Sequence, residues 1–277
     1  MNKGVLVSVI ITTKNEADVI ERLITSIKSQ SYKNREIILV DNNSTDKTQD
    51  IARKMNVKIY TVGPERSTQR NFGAKLAKGK YILILDADME LTPKVILECV
   101  QLAESDNKIG EIVIPEHSLS STFWGKVKAF ERSFYNERGD ELTDAARFFK
   151  KEVFFNAGGY DETITGPEDW DLPETIKKLG YKVGRIKSKI YHYERINSPL
   201  DLARKKFYYA LRAHRYLSKQ NISILSPKTV YFLRPVFYKN FDKMLAHPIL
   251  AVGMFIMLTI EFLGGGLGYL IGRVKNL

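Results

Sequence analysis

Apolar residues recur in two alternating rhythms along the first hundred positions. Residues 5–12 are apolar and β-branched, which predicts a strand. Residues 17–30 place Val19, Ile20, Leu23, Ile24 and Ile27 at helical spacing. A second strand is predicted over 36–40, ending at Asp41. Asp46 then reads as the N-cap of a helix running to Met55. A third strand over 57–62, a helix over 66–77 and a fourth strand over 81–85 follow. The fourth run, Tyr81-Ile82-Leu83-Ile84-Leu85, has no polar position, so it predicts a strand buried on both faces. A helix over 93–104 and a strand over 109–115 complete the series. This βαβαβαβ order predicts an α/β fold, a mostly parallel sheet flanked by helices. Such sheets bind ligands at the carboxyl ends of their strands.

The rhythm fades over 116–194. An amphipathic helix is predicted over 123–135, a short strand over 147–150, a helix over 168–179, and short strands over 181–186 and 189–193. Paired glycines make Asn156-Ala157-Gly158-Gly159-Tyr160 a turn. No repeat or low-complexity linker interrupts 1–194, which therefore reads as one domain of catalytic type. The tail, 195–277, differs. Residues 199–218 predict a basic helix carrying Phe207, Tyr208, Tyr209 and Tyr216, and 227–246 a similar one interrupted by Pro235. From 249 to 271 the only charged side chain is Glu261. At 1.5 Å per residue that segment is long enough to span about 30 Å of hydrocarbon. However, Gly264-Gly265-Gly266 predicts a break, and Glu261 would be costly at the bilayer centre. An interfacial or re-entrant segment, or a helix buried against the domain, therefore stands beside a straight span.

Charge sharpens this division. The net +11 is concentrated in residues 195–277, with thirteen Lys and Arg against three Asp and Glu, whereas the two preceding stretches are close to neutral. A neutral body with a basic, aromatic and then apolar tail suggests a membrane surface rather than nucleic acid. Cys99 is the only cysteine, which precludes an intrachain disulfide and suits a reducing compartment. The first residues run straight into a strand without the small-residue cleavage site of a signal peptide.

The predicted strand ends carry the candidate chemistry. Asp86-Ala87-Asp88 sets two carboxylates at the end of the buried strand, suited to a hard divalent cation with a phosphate on its far side. A solvated acidic turn is the alternative. Arg66 and Arg70 share one helical face beside Asn71, and arginine offers a planar fork for phosphate oxygens. Together with Thr12-Thr13-Lys14-Asn15-Glu16, Asp41-Asn42-Asn43-Ser44-Thr45-Asp46, Gly158-Gly159-Tyr160-Asp161-Glu162 and Gly166-Pro167-Glu168-Asp169-Trp170-Asp171, the ordered set resembles a family 2 glycosyltransferase of the GT-A fold over about residues 5–195.

That resemblance implies a nucleotide-diphosphate sugar as donor and Mg²⁺ or Mn²⁺ as cofactor. Asp41 would read the base or ribose, with Thr13, Glu16 and Asn43 near the same nucleoside. Arg70, in preference to Arg66, would meet the diphosphate. Asp86 would contact the ribose or a metal-bound water, and Asp88 would ligate the metal. His192 is either a further ligand or a structural histidine. Asp169 would be the general base of an inverting displacement, with Gly159 and Glu168 supporting the acceptor side. Simpler readings stay open: a capping loop at Asp41, a first-turn residue at Glu16, and acidic decoration of a helix start at Glu168-Asp169. A helix N-terminus weakens a carboxylate as a base, and Glu168, Asp171 and the donor phosphates are expected to push the other way. Two departures matter. Thr12-Thr13 stands where many members carry proline, and no Gln-x-x-Arg-Trp of processive synthases occurs, which favours single sugar addition.

The expected function is thus sugar transfer to a lipid or lipid-linked glycan at the cytoplasmic face of the cell membrane, with the tail binding the membrane surface and no nucleic acid involved. A sugar nucleotidyltransferase would want a glycine-rich loop after the first strand, which residues 12–16 lack. A non-catalytic membrane or nucleic-acid binding module is the remaining alternative.

Overall fold

A computed structural model describes residues 4–136, 139–140 and 142–275; the start of the stretch read for a signal peptide, residues 1–3, lies outside them. The chain forms two compact units. The first comprises residues 1–115, 145–162 and 172–192, and the second comprises 116–144, 163–171 and 193–277. This division differs from a sequence boundary at 194 over 116–144 and 163–171.

In chain order the elements are β1 (Val7–Thr13), α1 (Ile20–Lys28), β2 (Arg35–Asp41), α2 (Thr48–Lys54), β3 (Lys58–Thr61), α3 (Arg66–Leu76), β4 (Tyr81–Asp86), β5 (Met89–Leu91), α4 (Val95–Ser105) and β6 (Ile109–Val113). After β7 (Glu116–Leu119) and α5 (Phe123–Arg132) of the second unit come β8 (Ala146–Lys150), α6 (Lys151–Asn156), α7 (Glu168–Lys178), β9 (Lys182–Arg185) and β10 (Ile190–Tyr193). The predicted order of strands and helices is reproduced. β5, β7 and α6 were not anticipated, because each is too short to establish a period.

The first unit is built on a seven-stranded sheet of order β3-β2-β1-β4-β8-β6-β9, in which β8 alone runs opposite. Alternate residues of the central strands face opposite layers. Val9, Ile11, Leu39, Leu83 and Leu85 pack with Leu23, Ile24 and Ile27 of α1 and Cys99 of α4. Ile10, Val40, Ile82 and Ile84 pack with Ala74 of α3 and with Leu172 and Ile176 of α7. Each such aliphatic side chain contributes about 1.5–3 kcal/mol on burial. Gly73 lets α3 lie close to β1, since a Cβ there would meet Ile10 Cγ2 at 2.5 Å. The chain order reverses between β1 and β4, so the crevice beyond their carboxyl ends is a topological switch point.

One core side chain breaks the apolar pattern. Glu111 of β6 is buried in register with Phe149 and Val183, and neither carboxyl oxygen has a hydrogen-bond partner among the described residues. Burial pushes its pKa up to about 8, and Lys177 only partly opposes this.

The second unit is helical. Beyond β7 and α5 it contains α8 (Pro199–Ala210), α9 (Ala213–Gln220), a 3₁₀ turn (Tyr231–Leu233), α10 (Pro235–Lys239), α11 (Phe241–Ala246) and α12 (Pro248–Lys275). Ser198 caps α8 by accepting from the Leu200 N–H, and Pro199 occupies the position where no N–H is needed. Val127, Phe130, Phe134, Leu202, Phe237, Met254, Met257 and Leu258 form its core. The break expected at Gly264-Gly265-Gly266 does not occur: α12 runs unbroken through it. Gly264, Gly268 and Gly272 fall four apart on one face. A Cβ at any of them would overlap the backbone oxygen of Ala203 or Phe207 of α8, or of Leu211 at its C-cap. This close packing offsets a propensity cost of about 1 kcal/mol per glycine. Glu261 is likewise not stranded. Its carboxylate lies 3.0 Å from Lys128 Nζ of α5 and 3.6 Å from Lys206 Nζ of α8, and Lys128 also pairs with Glu131 at 3.1 Å. Burial would raise the Glu261 pKa, but Lys128 and Lys206 outweigh it and hold it at about 2.

Two predictions follow from these buried charges. Glu261→Gln leaves Lys128 and Lys206 short of a counter-charge and is expected to cost about 3 kcal/mol of stability at pH 7. Because the folded pKa is depressed, that cost should be complete above pH 4.5 and shrink as pH falls toward 2. Urea unfolding of both proteins across this range measures it. Glu111 has the opposite sign. With its folded pKa raised, its stabilising protonated form is lost to the fold as pH rises from 4.5 through about 8. Glu111→Gln should flatten that decline, with a gain over the parent of roughly 3 kcal/mol at pH 9. Thermal unfolding at pH 5 and pH 9 tests this.

Candidate active site

Register brings the predicted strand-end residues to one edge of the first unit. Thr13 of β1 lies beside Asp41 of β2, and Thr12 lies beside Asp86 of β4. Thr13 Oγ1 donates to Asp41 Oδ1 at 2.8 Å. The backbone N–H of Ser44 and the Gln49 amide donate to Oδ2, both at 2.7 Å, and Ser44 Oγ donates to Oδ1 at 2.5 Å. Asp41 is fully buried, and these four donors match the four lone-pair sites of a carboxylate. A ligand N–H or O–H reaches Asp41 only by displacing one of them.

The loops after β1 and β2 are laced together above this edge. Asn15 Oδ1 accepts from Thr45 N at 2.8 Å, Glu16 N donates to Thr48 Oγ1 at 2.7 Å, and Ala17 N donates to Asp46 Oδ2 at 3.1 Å. Asn15 and Asn43 both adopt left-handed backbone, which asparagine tolerates better than most residues. Asn43 is exposed, whereas Glu16 is half-buried. Gln69 of α3, which the sequence did not single out, donates to the carbonyls of Thr13 at 3.0 Å and Val40 at 2.7 Å, fixing the helix to both strand ends.

Arg70 is enclosed by the protein. It is fully buried, donates to Asp86 Oδ1 at 3.0 Å and lies over the Tyr160 ring at 5.1 Å. Its Nη2 is therefore engaged by the protein, and Arg66, one turn earlier, is the half-buried arginine of that face. Arg147 of β8 approaches the other Asp86 oxygen at 3.3 Å. Burial would raise the Asp86 pKa, but Arg70, Arg147, Arg66 and His192 hold it well below the usual carboxylate range. Arg147 escaped sequence reading because an antiparallel strand sixty residues downstream supplies it.

Asp88 and His192 are together. Asp88 precedes β5, whose residue Met89 pairs with His192 of β10, and His192 Nε2 lies 3.4 Å from Asp88 Oδ1. Among the described residues no group of three His, Cys, Asp or Glu side chains forms a complete metal cage. One carboxylate with one imidazole nevertheless fits an ion that completes its shell with substrate phosphates and water, as Mg²⁺ and Mn²⁺ do.

Gly159 supports the turn after α6. Its φ of +70° is a left-handed conformation, and a Cβ would meet Asn71 Oδ1 at 2.8 Å. Asn71 accepts from Tyr160 N at 2.9 Å and donates to Tyr160 O at 2.8 Å and Glu162 Oε1 at 2.9 Å.

The remaining predicted residues lie in the second unit. Gly166, at φ +102°, lets the chain pass close to Tyr209, and Glu168, Asp169 and Asp171 form the first turn of α7. Glu168 is buried and Asp169 half-buried. Asp171 is also buried, and accepts from Lys219 Nζ and the Gln220 amide of α9, both at 2.7 Å. Lys219 thereby offsets the charge that Asp171 was expected to exert on Asp169.

The profile described as glycosyl transferase family 2 matches residues 8–159. The chain is 28% identical to a beta-monoglucosyldiacylglycerol synthase of Nostoc sp. over 60% of its length, and spans only 40% of that relative. It is also 28% identical to an uncharacterized glycosyltransferase of Methanocaldococcus jannaschii, covering 93% of this chain and 91% of the relative. A mannosyltransferase from Pyrobaculum calidifontis, solved with GDP-Man and Mn²⁺, superposes with a TM-score of 0.61 at 18% identity, over 98% of this chain and 86% of that one. The sheet is that of the GT-A fold.

The two arginines of α3 should separate in a substitution test. Arg70→Lys keeps the charge but loses the fork, and should lower stability by about 2 kcal/mol. Arg66→Lys should change it by less than about 1 kcal/mol. Guanidinium unfolding curves distinguish them.

Proposed function

The chain belongs to glycosyl transferase family 2 and is a glycosyltransferase, and we propose that it moves a sugar from a nucleoside diphosphate donor to a hydroxyl of a lipid or lipid-linked glycan by one inverting displacement. The observation that carries this reading is the Asp88–His192 pair, 3.4 Å apart where the chain leaves β4. On this reading Asp88 and His192 would hold Mg²⁺ or Mn²⁺, which would supply positive charge against the departing nucleoside diphosphate.

The chain's own residues do the rest. Arg66 meets phosphate oxygens that the buried Arg70 does not reach. Asp86, kept ionised between Arg70 and Arg147, accepts from a ribose hydroxyl. Gln49 yields its place on Asp41 to an N–H of the base, while Thr13, Glu16 and Asn43 shape that end of the crevice. Asp169 accepts the proton of the acceptor hydroxyl as its oxygen bonds to the anomeric carbon and the bond to the donor phosphate breaks. Gly159 and Glu168 support these elements. Residues 1–194 act as the catalytic domain on the cytoplasmic side, and 195–277 keep it at the membrane. A relative named for diacylglycerol glucosylation supports the lipid acceptor, and a neighbour solved with GDP-Man and Mn²⁺ supports donor and cation.

A panel of nucleotide sugars, scored by divalent-dependent hydrolysis, tests the donor class. With the donor found, Asp169→Asn should lower turnover by roughly 10²–10⁴-fold while donor affinity stays nearly unchanged. Equal loss of both would remove Asp169 from the role of base.

A further inference from the structure

α12 has two apolar faces, and only one of them is covered. Ala251, Met254, Met257, Leu258, Glu261, Gly268 and Gly272 are buried within the second unit. On the other side Ile249, Val252, Ile256, Leu263, Leu267 and Leu270 recur at three-, four- and, once, seven-residue intervals that keep them on one face, each between 46% and 73% exposed. These six side chains leave roughly 600–700 Å² of apolar surface in one stripe, at or beyond the largest patch of an ordinary soluble monomer. At about 1.5 Å per residue, the stripe runs for on the order of 30 Å.

Its neighbour supplies charge. α8, packed along α12 through the glycine face, exposes Arg204, Lys205 and Tyr208. Arg273 and Lys275 are exposed at the end of α12. Of the tail's acids, Glu261 is buried and paired, and Asp201 lies 3.5 Å from Arg204 with both side chains exposed, so the basic residues stay in excess on this face. Exposed aliphatics beside basic and aromatic side chains match the requirements of an anionic lipid surface.

We propose that this face of α12, with the basic side chains of α8, binds an anionic bilayer, and that α12 lies in the plane of the interface instead of crossing it. The covered face decides the orientation. Glu261 is held by Lys128 and Lys206, and three glycines seat α12 on the α8 backbone. A crossing helix would carry Lys128, Glu131 and Lys206 into hydrocarbon with it, or leave Glu261 there without them. Lying flat keeps this group on the protein side and gives the lipid only the stripe. The inference deepens the membrane part of the proposed function and does not rest on the transfer chemistry.

Flotation of the full-length protein tests it, using vesicles of phosphatidylcholine with phosphatidylglycerol and vesicles of phosphatidylcholine alone. Binding should be strong to the anionic vesicles, weak to the neutral ones, and reversed by alkaline carbonate. Leu263→Gln with Leu267→Gln should weaken it at least tenfold with unchanged circular dichroism and thermal midpoint. Arg204→Gln with Lys205→Gln should weaken it about thirtyfold on anionic vesicles, at about 1 kcal/mol per charge. Resistance to carbonate would overturn the in-plane orientation. Equal affinity of the Leu263→Gln, Leu267→Gln variant, or a stable dimer that this variant dissolves, would overturn the lipid surface. Loss of vesicle binding with donor hydrolysis intact would overturn this inference alone, whereas binding without hydrolysis of any nucleotide sugar would overturn the transfer reading and leave this one standing.

Discussion

A one-residue slip of β1 against β2 and β4 would turn every side chain of the strand to the opposite face and dissolve the candidate site. Buried Ser8, which donates to Glu36 and accepts from the Gly79 N–H, would then turn into the opposite apolar layer and lose both partners, which opposes the slip. With the register fixed, Thr13 meets Asp41 and Thr12 meets Asp86 at the carboxyl edge. Gln69 ties α3 to the ends of β1 and β2, which in turn sets Arg70 against Asp86. The apolar core therefore specifies the polar geometry, although none of its residues is chemically reactive.

The strand-end carboxylates have distinct environments. Asp41 is saturated by donors from its own loop and helix, and so organises the crevice as much as it lines it. Asp86 lies between two arginines and remains ionised. Asp88 faces an imidazole, an acceptor pair that suits a cation better than a ligand hydroxyl. Three carboxylates of one chemical type thus differ in what they can do because their immediate partners differ.

Much of this was legible in the sequence. The alternation of strand and helix follows from local periodicity, and so does the placement of Asp41 and Asp86 at strand ends. Long-range partners were not legible. Arg147 reaches Asp86 from an antiparallel strand that no local pattern announces, and the preference for Arg70 over Arg66 could not foresee that helix packing buries Arg70. The continuity of α12 was hidden for the same reason. Gly264 reads as a breaker by propensity, but against the α8 backbone it becomes the residue that lets two helices approach. Glu261 reads as a liability until Lys128, more than a hundred residues earlier, is placed beside it.

Manganese binding in the presence of a nucleoside diphosphate, followed by the electron paramagnetic resonance signal of free Mn²⁺, tests the central claim most directly. The account predicts that Asp88→Ala and His192→Ala each abolish the uptake of Mn²⁺ that the nucleotide promotes, while the nucleotide's metal-free affinity persists. Uptake equal to the parent's in both variants would contradict it.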